Sequence, residues 1–159
     1  MTQVPSDHAG STPHFPLDQM MVAPLAGLVI GLHDSAFVMA EWADPGAPPG
    51  PPRLIAPYHV HYTDDEAWYV LEGTLAFQLG EQHVQASAGT AVFAPRGVPH
   101  TYWNPSPTPA RYLLIMTPMI RQLINELHRS TERDPVALQA LYQRYNSDLV
   151  SSPFMHINY

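Results

Sequence analysis

The chain contains no cysteine among its 159 residues. A disulfide framework and a thiolate metal site are therefore both excluded, and any bound transition metal needs nitrogen and oxygen ligands. A chain of this length can bury the core of one domain without covalent cross-links. The search for chemistry therefore turns to histidines and carboxylates.

Basic residues are also scarce. The sequence has seven Lys and Arg but fourteen Asp and Glu, which gives a net charge of -7. Such a surface has no basic patch, so we expect neither nucleic-acid binding nor a membrane partner. The apolar run at residues 25–32 is far shorter than the ~20 residues of a membrane span, and the first residues lack the features of a secretory signal. The sequence predicts a soluble, cytoplasmic protein.

Short β-rich runs separated by turn residues fill the middle of the sequence. Many short strands at such spacing predict an all-β barrel or sandwich. Residues 22–42 predict two further strands around a turn at residues 33–35, and the proline-rich residues 43–53 predict a loop because many amide donors are missing. The central runs are Tyr58–Tyr62, Ala67–Leu71, Thr74–Leu79, His83–Ala86, Ala91–Ala94, His100–Trp103 and Arg111–Met116.

The pattern then changes to helical. Thr117-Pro118 and Asp134-Pro135 each combine an N-cap residue with proline at the first helical position, and apolar residues recur after both at helical spacing. We predict two short amphipathic helices that cover one mouth or face of the barrel. The predicted organisation is a tail at residues 1–18, a barrel at 19–117, a helical segment at 118–150 and a tail at 151–159.

Four residues have the spacing of metal ligands. His59 and His61 are two apart in a strand, so both imidazoles project from one face. Glu66 begins the next strand after a polar turn, and His100 can join the others through the long-range pairing of a barrel. Three imidazoles and a carboxylate suit one divalent Fe, Mn, Ni, Co, Cu or Zn ion. An octahedral ion would keep two open positions, whereas zinc could be closed tetrahedrally as a structural site.

The spacing resembles two motifs of the cupin family. The second motif is matched without deviation by Gly89, Pro95, Gly97, His100 and Asn104, and the first by His59, His61, Glu66 and Gly73. The sequence departs from the family at Arg53, where a glycine is expected. The resemblance covers residues 20–117 and implies a cupin double-stranded β-helix, a jelly-roll barrel, here with two short C-terminal α-helices. It also implies a homodimer, to which residues 22–42 would contribute.

Within the family, the chain is most similar to quercetin dioxygenase-like cupins, both in the gap before Glu66 and in its helical tail. That resemblance implies a metal-dependent dioxygenase acting on a small aromatic or enolisable compound, with Glu66 as a ligand that also accepts a proton. Two alternatives stay open: a non-catalytic small-molecule-binding cupin, and a metal-dependent isomerase or cyclase that uses the ion as a Lewis acid.

Strand parity predicts the residues that contact this small molecule. Trp68 shares the face of Glu66, and Tyr102 shares that of His100, so both should point into the barrel near the metal. Phe77 and Met39 are further substrate-binding candidates. The competing interpretation is that these side chains simply fill the core of a small barrel.

Overall fold

The computed structural model describes residue 21, residues 29–131 and residues 134–151. Its strands form two five-stranded antiparallel sheets. The first has the order β1-β2-β9-β4-β7 and the second β10-β3-β8-β5-β6. The strands are β1 Val29–Ile30, β2 Val38–Asp44, β3 Leu54–His61, β4 Glu66–Glu72, β5 Thr74–Leu79, β6 Gln82–Ser87, β7 Ala91–Ala94, β8 His100–Trp103, β9 Ala110–Met116 and β10 Ser147–Leu149.

Strands that are neighbours in space are mostly distant in sequence. β4 pairs with β7 and β9, while β3 pairs with β8 and β10. This pairing brings β8, which carries His100 of the second motif, against β3, which carries His59 and His61 of the first. The all-β jelly-roll architecture expected from the sequence is confirmed.

Tight turns connect the strands where the motif glycines predict them. Gly73 joins β4 to β5 with φ 73°. A Cβ atom built there would lie 2.6 Å from the Pro109 carbonyl oxygen, so both the conformation and the space require glycine. Asn104 caps the turn after β8, because its side chain accepts from the Ser106 amide at 2.9 Å and donates to the Thr108 carbonyl at 2.8 Å.

The core lies between the two sheets and is built from the inward faces of their strands. Along β9 the residues alternate between buried and partly exposed, as period-two packing requires. Aromatic rings fill the centre, where Trp68 lies 5.2 Å from both Phe77 and Tyr102, measured between ring centroids. Trp68 and Phe77 are completely buried.

Two helices follow the barrel strands, α1 Pro118–Arg129 and α2 Pro135–Gln143. Their predicted caps are confirmed: the Thr117 side chain accepts from the Ile120 amide, and Asp134 accepts from two amides of the first turn of α2. β10 was not predicted, since it falls within the segment expected to be helical. It adds an edge strand to β3 in the register Ser147 to His61.

The upstream segment is described in part. Its predicted turn is confirmed by a hydrogen bond of 3.1 Å from the Ser35 amide to the Leu32 carbonyl, with β1 before it and β2 after it. Residues 22–28, the predicted tail at 1–18 and most of the tail at 151–159 lie outside the described residues. No helix in the described part of the chain is long and apolar enough to cross a membrane.

Candidate metal centre

The four predicted ligand residues meet at one end of the barrel. β3 carries His59 and His61, β4 begins with Glu66, and β8 begins with His100, directly opposite His59 in the ladder. All four side chains are buried, with at most 5% of each residue exposed. One ligand atom from each lies within 4.8 Å of the others. The group can therefore hold a metal ion.

The atoms that converge are the three Nε2 nitrogens and one carboxylate oxygen. His59 Nε2 lies 3.1 Å from His61 Nε2, and Glu66 Oε2 lies 3.1 Å from His100 Nε2 and 3.7 Å from His61 Nε2. Ligand atoms that bind one metal ion lie at about these distances from one another.

The opposite nitrogen of each ring, Nδ1, has a partner of its own. His59 Nδ1 lies 2.7 Å from the Pro57 carbonyl oxygen and His100 Nδ1 lies 2.9 Å from the Val98 carbonyl oxygen. His61 Nδ1 lies 2.6 Å from Ser147 Oγ, whose hydroxyl donates to the Tyr145 carbonyl at 2.9 Å. Each partner is left with only acceptor capacity toward the ring, so each Nδ1 carries the proton.

This tautomer determines what the centre can bind. In a neutral ring protonated at Nδ1, Nε2 has a bare lone pair, and three such lone pairs converge here with a carboxylate. Two Nε2 atoms 3.1 Å apart repel one another unless a proton or a metal ion lies between them. Neutral imidazoles fixed through Nδ1 are also the usual form of metal-ligating histidine. The residues present therefore fit a divalent transition metal.

The protonation states agree with this assignment. Burial, together with the neighbouring rings of His100 and His61, holds the pKa of His59 well below its usual value, so this ring is neutral at pH 7. Burial alone would raise the pKa of Glu66, but hydrogen bonds and charge interactions with His100 and His61 lower it by more, so Glu66 is a carboxylate. Those hydrogen bonds need a proton on the facing Nε2 atom, which a bound metal ion would replace. One negative ligand and neutral imidazoles leave a divalent ion with a formal charge of +1.

The centre opens into a cavity of about 580 Å³. The barrel contributes Ile55 and Leu114 to its wall, and the helices contribute an apolar stripe. Such a wall favours a ligand with an apolar body over a sugar phosphate. The helical residues of the wall include Ile120, Leu123, Ile124, Leu127, Leu138 and Tyr142.

Two tyrosines place a polar group in this apolar wall. The hydroxyl oxygens of Tyr102 and Tyr112 lie 3.2 Å apart, and both residues line the cavity. One hydroxyl donates to the other, which leaves the acceptor's own proton without a hydrogen-bond partner in the described part of the chain. Burial holds the pKa of Tyr102 well above its usual value and raises the pKa of Tyr112 to about 12, so both remain phenols.

The predicted substrate-binding residues are not all at the cavity. Tyr102 lines it. Trp68 and Phe77 lie in the core behind Tyr102, and the Trp68 ring contacts the His100 ring with centroids 5.7 Å apart, so they support the site from behind. Met39 alternates with the buried Val38 and Ala40 and is on the outer face of β2, away from the cavity. A substrate-binding role for Met39 has no support in this geometry.

Arg53, the departure from the family motif, lies at the rim of the cavity. Its Nη2 atom is 2.8 Å from Asp44 Oδ2, and it also contacts the Gly46 carbonyl at 3.3 Å. The ion pair spans the proline-rich loop between β2 and β3. An arginine therefore stabilises the turn where the family has a glycine.

Sequence reasoning did not identify several residues of the site. Tyr112 belongs to a run whose alternation predicts burial but not a hydroxyl pair with Tyr102. Ser147 follows Asn146, a residue type common in turns and here at φ 49°, yet nothing in that pattern predicts contact with a metal ligand. Tyr142 lies on the predicted α2 and meets the His59 ring at 5.4 Å between centroids.

Residues 50–116 match the family described as the cupin domain. Solved structures that resemble the chain include TT1209 from Thermus thermophilus, with 27% identity, 66% of this chain and 96% of that chain covered, and a TM-score of 0.46. Another is a sugar phosphate isomerase from Silicibacter pomeroyi DSS-3, with 22% identity, 52% and 51% covered, and a TM-score of 0.45. The match spans about half the length of that isomerase.

A third similar structure is a predicted oxalate decarboxylase from Thermotoga maritima, with 22% identity, 51% of this chain and 64% of that chain covered, and a TM-score of 0.41. None of the curated proteins matches the chain.

Proposed function

We propose that this chain, whose residues 50–116 match the cupin domain, is a metal-dependent dioxygenase that acts on a small aromatic or enolisable compound. The observation that carries the proposal is the convergence of three bare Nε2 atoms and a carboxylate at the end of an apolar cavity. His59, His61, Glu66 and His100 would hold one divalent Fe, Mn, Ni, Co, Cu or Zn ion, and a redox-active ion is needed for the dioxygenase reaction.

Each group of residues has a distinct part in this proposal. The bound ion would supply Lewis acidity and electron exchange with dioxygen. The unpaired hydroxyl proton of the Tyr102–Tyr112 pair donates to an oxygen of the substrate and orients it. Glu66 is buried beside the ligand rings and accepts the proton that an enol or phenol loses. The apolar stripe from α1 and α2 keeps water from the reacting groups.

The test is oxygen consumption by protein reconstituted separately with Fe²⁺, Mn²⁺, Ni²⁺ and Co²⁺. A panel of flavonols, catechols and diketones is supplied, and an oxygen electrode records uptake. We expect uptake with at least one compound, together with a product containing both oxygen atoms of labelled dioxygen. The variant Glu66→Ala, checked for fold, is the control and should be inactive.

Two other outcomes would replace this proposal. Conversion of a compound under anaerobic conditions would identify a Lewis-acid isomerase or cyclase. Binding of a compound without conversion by fully metallated protein would identify a small-molecule-binding cupin.

We also propose that the chain is a homodimer in the cytoplasm. The support is an exposed apolar surface at the first sheet, where Phe37, just before β2, and Phe93 in β7 line a shared groove and are 60% and 58% exposed. Light scattering after size-exclusion chromatography tests the oligomeric state, and a mass near 17.7 kDa would refute the dimer. Cell fractionation tests the compartment.

A further inference from the structure

We propose that the C-terminal strand β10 is part of the metal centre, because Ser147 fixes the tautomer and orientation of the ligand His61. Ser147 is thus a positioning residue that acts through His61. The inference rests on the proposed metal binding, and it extends the centre beyond residues 50–116, the part of the chain that matches the family.

The hydrogen bonds around Ser147 have a defined direction. Its hydroxyl oxygen lies 2.9 Å from the Tyr145 carbonyl oxygen and 2.6 Å from His61 Nδ1. The arrangement that satisfies all three groups has the single hydroxyl proton donated to the Tyr145 carbonyl, which can only accept, and the Ser147 oxygen accepting the proton of His61 Nδ1. Ser147 is 1% exposed, so bulk water does not compete for this contact.

His61 differs in this respect from the other two histidine ligands. His59 and His100 each bond to a carbonyl two residues earlier in their own segment. Those partners lie in β3 itself and in the turn that leads into β8, so they need no distant part of the chain. The partner of His61 comes from a position 86 residues later in the chain. One of the three imidazoles therefore depends on the C-terminal segment for its orientation.

Loss of the Ser147 hydroxyl would favour the wrong tautomer of His61. Its buried Nδ1–H would lose its acceptor, at a cost in free energy. The ring can avoid that cost by carrying its proton on Nε2, which lies 3.1 Å from His59 Nε2 and can donate to it. The lone pair that must bind the metal would then be occupied by that proton. Metal binding would have to move the proton back to Nδ1, and the affinity for the metal would fall.

The strand itself does not need this hydroxyl. β10 is joined to the β3 segment by backbone hydrogen bonds on both sides of Ser147, from the Tyr62 amide to the Asn146 carbonyl at 2.9 Å and from the Val150 amide to the Tyr58 carbonyl at 3.0 Å. The Tyr62 hydroxyl also donates to Asp148 Oδ2 at 2.9 Å. The effect of the Ser147 hydroxyl can thus be separated from the docking of β10.

The test compares Ser147→Ala with Tyr62→Phe, which removes a different side-chain hydrogen bond between the same two segments without touching a ligand. Affinities for Co²⁺ and Zn²⁺ are measured by calorimetry, with folding checked by circular dichroism. We expect Ser147→Ala to bind each ion about 10- to 100-fold more weakly than the wild type, as is usual when the partner of a metal-ligating histidine is lost. Tyr62→Phe should bind like the wild type.

A second measurement does not depend on metal. Nitrogen-15 NMR of the metal-free protein should find His61 protonated at Nδ1 in the wild type and shifted toward Nε2–H in Ser147→Ala. Equal losses of affinity in the two variants, unchanged affinity in Ser147→Ala, or an unchanged His61 tautomer would overturn the inference. A wild type that binds no metal would refute the proposed function instead, and the NMR result alone would then decide the role of Ser147.

Discussion

A substitution at His61 tests whether metal binding can be lost while the fold is kept. We expect His61→Ala to lose tight metal binding but keep a folded barrel, because the core rests on apolar strand faces such as those of Trp68, Val70 and Leu114. Elemental analysis measures the metal stoichiometry, and circular dichroism measures the fold. An unfolded variant would mean that the ion is structural and would weaken the dioxygenase proposal.

Tyr112 provides a test at alkaline pH. Burial raises its pKa to about 12, and Asp44 and Glu66 act in the same direction against the hydrogen bond with Tyr102. Since the folded pKa exceeds the unfolded value near 10, the resulting stabilisation is fully present below pH ~10 and is lost as the pH rises toward 12. Tyrosinate absorbance should show one group titrating near pH 12 that is missing in Tyr112→Phe. A full set of tyrosines titrating near pH 10 while the protein stays folded would contradict this prediction.

The residues of the site differ in how far the sequence predicts them. Motif spacing identified His59, His61, Glu66 and His100, because strand parity and turn lengths put such residues together in this fold. Met39 shows the limit of parity, since alternation tells which residues share a face but not which of the two faces is inside. Ser147 could not be found from spacing, because its contact depends on a strand pairing across 86 positions.

The turn between β3 and β4 is tied to helix α1 through Asp64. This buried carboxylate accepts from Thr63 Oγ1 at 2.5 Å and from Thr117 Oγ1 at 2.6 Å, and Thr117 is the N-cap of α1. The turn leads directly to Glu66. The wall of the cavity and the carboxylate ligand are therefore held by the same side chain.

Asp64→Ala should destabilise this junction by about 1–3 kcal/mol, because it removes two hydrogen bonds that a buried carboxylate accepts, from Thr63 and from Thr117. The neighbouring Asp65 is the matched control, since it forms an exposed ion pair with Arg96 and its removal should have a much smaller effect. Chemical denaturation of both variants measures the difference. Equal destabilisation would show that Asp64 has no special role at the junction.

The sequence predicts helices and strands best where short local motifs mark their ends. Both helix starts were predicted because Thr117-Pro118 and Asp134-Pro135 combine a cap with a proline at the next position. β3 begins at Leu54, earlier than predicted, because pairing with Trp103 in β8 extends it through Pro57. β10 has only three residues and pairs with β3. Three residues are too few to show the alternation of apolar and polar residues that predicts a strand.

For the whole molecule, we expect metal to raise thermal stability. An ion that binds the folded state alone adds about 2.7 kcal/mol at 100 times its dissociation constant. For a protein of this size, that should raise Tm by about 5–10 °C. Scanning calorimetry with Co²⁺ and with a chelator measures the shift, and His61→Ala should show none. An equal shift in that variant would mean that the ion stabilises the protein from another site.

The distance along the chain between His61 and Ser147 also sets an order of events during synthesis. Closing a loop across 86 residues costs more entropy than forming the hairpins within the barrel, and it requires that β10 has left the ribosome. Until then His59 and His100 can already have their carbonyl partners, but His61 lacks its own. A nascent chain therefore completes the candidate metal centre only after β10 has been translated, long after the four candidate ligands themselves.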